Sequence, residues 1–218
     1  MAFTPAEIIA DARILLQDTS TTDPRYNAAT MLTFVNSTVR RIALVRPDLF
    51  ATIADMTTVL GVVQSAPSDS LRIIDVLNVV DGHNLNEVNR TLLDTLNPLW
   101  LTATPGSPTN WMRDPRNPNR FYVAGPATAG ISISIEYAKS PAVLGQTDPI
   151  PLPDAFWPCV VDGVVWLAES VDNEHVNNGR AKMYADAFDK YLGITVQNRP
   201  LTDNSAAQLP PNTVPTPP

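Results

Sequence analysis

The hydrophobic period of this chain changes twice along its length, and that limits what it can fold into. From Thr4 to about Phe50 the apolar residues recur at helical spacing. From about Ala51 to Pro151 they alternate as in half-buried strands, and from Leu152 to Gly193 the helical period returns. A chain patterned this way builds one body from its two flanks and a second from its middle.

The first flank reads as two helices. Thr4-Pro5-Ala6-Glu7 has the form of a capping box with proline at the first helical position. Ile8, Ile9, Ala12, Leu15 and Leu16 follow on one face. Asp23-Pro24 reads as the start of the second helix, whose apolar face is Met31, Leu32, Val35, Val39 and Ile42, with Pro47 as its stop. In the middle, Ile131, Ile133, Ile135 and Tyr137 alternate with polar residues. Thr57 to Val63, Leu71 to Val79 and Phe121 to Ala124 read as further strands. A short helix is expected near Glu87 to Leu96, and a long loop at Pro105 to Pro118. In the second flank, Trp157, Val160, Val161, Val164, Ala168 and Val171 form one helical face. Val176, Met183, Ala187 and Tyr191 form another, which Gly193 caps.

Residues 194–218 contain six prolines and only two charged side chains, Arg199 and Asp203. Such a composition cannot build a core and is expected to be an extended arm. The expected fold class is therefore α+β. Residues 1–50 and 152–193 form a four-helix bundle, residues 51–151 a small antiparallel β insertion that protrudes from it, and residues 194–218 an extended C-terminal arm.

The net charge of −7 and the lack of any basic run longer than Arg40-Arg41 argue against gripping DNA, because phosphates must be neutralised. An acidic wall past which DNA slides is compatible with the same numbers. One cysteine, Cys159, precludes an intrachain disulfide. No segment reads as a secretory signal or a bilayer span, so synthesis in a reducing cytoplasm is expected.

Chemistry-bearing groups are scattered. His83 reads as a turn residue, His175 as a helix-start residue and Cys159 as a buried small hydrophobe. A zinc site from these three lacks close ligand spacing. Asp162 and Glu169, seven apart, read as a solvated helix face rather than an acid–base pair. Arg113, Arg116 and Arg120, near Trp111 and Phe121, read as a protein contact or a solvated loop rather than a strand-binding platform. No nucleotide, hydrolase or calcium motif is present, and no enzyme activity, cofactor or metal is expected.

Several stretches carry a resemblance. Glu7-Ile8-Ile9-Ala10-Asp11-Ala12-Arg13 with Leu15-Leu16-Gln17-Asp18, Arg40 through Asp48, Leu152 through Ser170 and Ala181 to Tyr191 are similar to the helices of head-to-tail adaptor proteins of short-tailed bacteriophages, the tail-tubular-protein-A type. Asp23-Pro24-Arg25-Tyr26 departs from the Trp-containing helix start expected there. The resemblance implies a dodecameric ring in the virion neck. That ring contacts portal protein, tail or nozzle protein and its own neighbours, and DNA passes its lumen without specific binding. On this reading Leu201, Leu209 and Val214 of the arm are the expected portal anchors, with Arg40 and Arg46 as further candidates. The alternatives are another neck or tail-completion protein, a carbohydrate-active enzyme, or a small-molecule binding module.

Overall fold

A computed structural model describes residues 3–20, 22–171 and 178–193. Helix α1, Pro5–Leu16, begins as its sequence dictates. The Thr4 backbone N–H and hydroxyl both donate to the Glu7 carboxylate, at 2.8 and 2.9 Å. Helix α2, Ala28–Val45, starts later than Asp23-Pro24 indicates. Its cap is Asn27, whose side chain accepts from the Thr30 N–H at 2.8 Å. Asp23 and Pro24 belong instead to a turn organised by buried Asp18. Asp18 accepts from Arg13 Nη1 and from the Arg25 N–H, both at 2.7 Å. Tyr26 then anchors the turn, its hydroxyl donating to the Ala168 carbonyl at 2.7 Å.

The second flank supplies α4, Trp157–Glu169, and α5, Asn178–Tyr191. α4 is the hub and packs against α1, α2 and α5. Gly163 sits at its tightest point. A Cβ there would lie 2.5 Å from Thr38 Cγ2 of α2 and 2.9 Å from the Phe188 ring of α5. The apolar faces of these four helices close around Ile8, Met31, Val35, Ile42, Val160 and Val164.

Between the flanks lie seven strands: β1 Ala51–Thr57, β2 Gly61–Ser65, β3 Ser70–Val79, β4 Asn86–Glu87, β5 Asn110–Arg113, β6 Arg120–Ala127 and β7 Ser132–Lys139. A further helix, α3, spans Arg90–Leu96. They form a three-stranded sheet in the order β1-β7-β3 and a four-stranded sheet in the order β2-β6-β5-β4. The alternating residues of β6 and β7, with every third residue of β3, whose pairing to β7 is repeatedly bulged, fill a second core of Val76, Phe121, Val123, Ile133 and Ile135, closed by Trp111.

The expected four-helix bundle with a small antiparallel insertion is therefore wrong. The described residues contain five α-helices and two sheets of three and four strands. The pairing is not wholly antiparallel, since β4 runs parallel to β5. The stretch expected to be a loop, Pro105 to Pro118, contains β5. Thr57 to Val63 is not one strand but the end of β1, a link and the start of β2. The alternation in that region reported strands without reporting which of two sheets each would join. The β body also does not simply protrude. Phe50, in the 3-10 turn between α2 and β1, is buried in the helical core, and Leu71 of β3 packs against that core. The return crossover after β7 adds Leu144, Ile150 and Leu152 to it.

Candidate interaction surfaces

Most side chains singled out in the sequence prove to be structural. Cys159 is fully buried, and burial followed by the nearby Asp162 charge pushes its thiol up to about 12. His83 Nε2 lies 2.7 Å from the Pro108 carbonyl, bridging two turns. His175 falls outside the described residues, as do Leu201, Leu209 and Val214. Glu169 is not on a solvated face. It is 1% exposed and sits 3.6 Å from Arg25 Nη2 and 3.5 Å from Arg180 Nη1. Asp162 is half-buried, and desolvation raises its pKa above the usual carboxylate range.

Of the three arginines expected on one loop, Arg113 ends β5 and Arg120 begins β6, and these two hold the β body together, while Arg116 is exposed. Arg113 donates to Glu87 at 2.8 Å, to the Ile73 carbonyl at 3.0 Å, and to the Ile74 carbonyl, so its fork ties β5 to β3 and β4. Arg120 donates to Asp114 at 2.5 Å. The Arg116 backbone N–H first, and Arg120 as well, hold the Asp114 carboxyl below its ordinary range. Trp111 and Phe121 are buried edge-to-face at 6.4 Å and present no stacking surface. Arg46 caps α2 and pairs with Asp48 at 2.7 Å, while Arg40 stands exposed on the same helix.

What remains open is apolar. On the β body, α3 buries none of its residues. Leu92, Leu96 and Leu99 are 55, 73 and 73% exposed, with Leu101 beside them in the following turn. Beneath them, buried Trp100 donates its indole N–H to Asp94 at 2.7 Å, which fixes α3 on its support. On the helical body, Leu44 of α2 is 70% exposed. Two depressions also meet at Asp162 of α4, one between α1 and α4 lined by Leu15, Trp157, Pro158 and Val161, the other between α4 and α5 lined by Ala187, Lys190 and Tyr191; together they form a groove across α4. Spacing places Leu15, Met183 and Tyr191 on apolar helix faces, yet all three are exposed. Apolar spacing alone indicates none of these surfaces. The cluster Leu92-Leu93, Leu96, Leu99 and Leu101 was a usable signal, because it is too apolar for a helix that no other element covers.

The β body and the helical core thus each leave apolar side chains uncovered, the kind of surface that protein contacts use. A family model described as SU10 adaptor protein matches residues 3–214. The chain belongs to the SU10 adaptor protein family. It is a phage adaptor, a structural component of the virion that interacts with other virion proteins, and that family is not a class of enzyme. Comparison with curated proteins gives no match. Among the described residues no helix is long and apolar enough to cross a membrane.

Proposed function

We propose that this adaptor assembles as a ring beneath the portal, joins capsid to tail, and lines part of the DNA conduit. The observation that carries the reading, beside the family, is that the exposed leucines of α3 sit on the β body, where the adjoining Trp100 turn packs on β6, while the exposed Leu44–Arg40 face lies on α2, whose opposite face is in the helical core. A linker needs two independent contacts, and separate cores let each be rigid without the other. In this reading Arg40 and the arm residues Leu201, Leu209 and Val214 engage the portal. Arg46 contributes by orienting the α2 terminus through Asp48. The α3 leucines face the tail or nozzle protein. The net charge of −7 per copy suits a passage that does not hold DNA.

Native mass spectrometry and electron microscopy of the full chain with and without portal test this. The expected result is a monomer or weak oligomer alone and a closed ring on the portal. Leu96→Asp with Leu99→Asp should keep the ring and lose the tail protein. Leu201→Asp, Leu209→Asp and Val214→Asp together should lose the portal. A chain that never joins the portal, or strong salt-sensitive binding of duplex DNA, would overturn the reading.

A further inference from the structure

We propose that, before assembly, the groove between α1, α4 and α5 is occupied by the chain's own C-terminal segment, residues 194–218, folded back in cis. The groove is made of two depressions that share Asp162: Leu15 of α1 with Trp157, Pro158 and Val161 of α4 line one, and Lys190 and Tyr191 of α5 line the other. Leu15 and Tyr191 are 39 and 49% exposed, so the described residues leave a substantial apolar surface open.

The position of the chain end selects the occupant. Tyr191 and Lys190 line the groove, and Gly193 follows at once. Gly193 has φ 69 and its N–H donates to the Lys190 carbonyl at 3.1 Å, a left-handed cap that stops α5 two residues after Tyr191. Twenty-five residues remain beyond it. An extended segment rises about 3 Å per residue. α4, 13 residues at about 1.5 Å each, is therefore spanned by roughly six or seven residues of such a segment.

The chemistry of the two surfaces matches. The segment carries six prolines with Ile194, Val196, Leu201 and Leu209 among polar residues. Proline-rich extended chains dock on aromatic-lined grooves, because their backbone is already restricted and loses little entropy on binding. Trp157 and Tyr191 supply such a lining. Trp157 is held in place by its indole N–H, which donates to Asp11 at 2.9 Å, and by the Phe3 ring at 5.2 Å. Asp162 lies where the two depressions meet and makes no hydrogen bond or ion pair with any described residue. The one cation of the segment, Arg199, comes six residues after Gly193 and is suited to meet it.

The proposal rests on the reading of the arm as a docking element but concerns the free protein. Its test contains no portal, so its failure and the failure of that reading are separable. Thr202→Cys in the full chain gives one reactive thiol for a nitroxide label, since Cys159 is buried. Broadening of the Trp157 indole and the Leu15 and Tyr191 signals is then read by NMR. The expected result is strong broadening of these groups and little at the α3 leucines, with the Trp157 broadening lost when Leu15→Glu and Tyr191→Ala are introduced together at these exposed positions. Uniform weak broadening over the whole surface would overturn the proposal. So would broadening that survives the double substitution. Broadening of an isotope-labelled, label-free chain by an added nitroxide-bearing chain would place the arm in a second copy's groove, and would overturn docking in cis.

Discussion

The side-chain amide of Asn36, in the middle of α2, takes both backbone groups of Leu144 as partners. Its Nδ2 donates to the Leu144 carbonyl at 3.1 Å, and its Oδ1 accepts from the Leu144 N–H at 2.7 Å. The crossover from β7 back to α4 has no strand partner there, so one asparagine supplies the pairing a neighbouring strand would give. Two further bonds run along the same path, from the Ala6 N–H to Gln146 and from the Ile150 N–H to Phe3. The crossover is thereby fixed to both helices of the first flank.

Asn36→Ala should therefore cost about 2 to 3 kcal/mol, since it leaves a buried N–H and C=O without partners. Urea unfolding measures it. A loss under half a kilocalorie would show that water satisfies the crossover backbone instead. Hydrogen exchange should show the Leu144 amide losing protection before the β core does.

Gly163→Ala should destabilise the protein by about 1 to 3 kcal/mol, although alanine is the better helix former by about 1 kcal/mol. The added methyl would meet Thr38 and Phe188 at distances no packed atoms tolerate. Thermal unfolding checks the sign. A raised Tm would mean that α5 can move away from α4 at little cost.

Glu169→Ala should cost about 2 to 4 kcal/mol, because the carboxylate is buried between Arg25 and Arg180. Arg180 also donates to the Leu15 carbonyl at 2.7 Å, so the change should loosen α5 from α1 as well as α4. The comparison to make is with Asp48→Ala, whose exposed pair with Arg46 should be worth at most about 1 kcal/mol.

The Cys159 thiol, raised to about 12 by burial, should resist alkylation at pH 8 in the native state and react fully once the chain is unfolded. The folded state holds this proton more tightly than the unfolded state does. The stability it contributes is therefore complete below the ordinary thiol range near 9, and falls as pH rises from there toward 12. Cys159→Ala should flatten that alkaline decline. A native thiol that reacts at once would show that α4 opens locally.

The sequence by itself determined the helices of both flanks, the strands with clean alternation, the buried state of Cys159 and the cap at Gly193. Each is set by local physics: spacing of apolar residues, a capping box, or a backbone conformation that glycine adopts freely. The family resemblance was legible there too, in the helical stretches that the family model also covers. Only the tertiary structure decided the rest. Whether Leu15, Met183 and Tyr191 are core or surface depends on which helix arrives to cover them, and apolar spacing cannot report an absent neighbour. Glu169 looked solvated because nothing local shows that Arg25 and Arg180 will converge on it. The division of the strands between two sheets, the parallel β4–β5 pair and the Asn36–Leu144 clasp all join residues far apart in the chain. Their free energy comes from contacts that exist only after the two flanks have met.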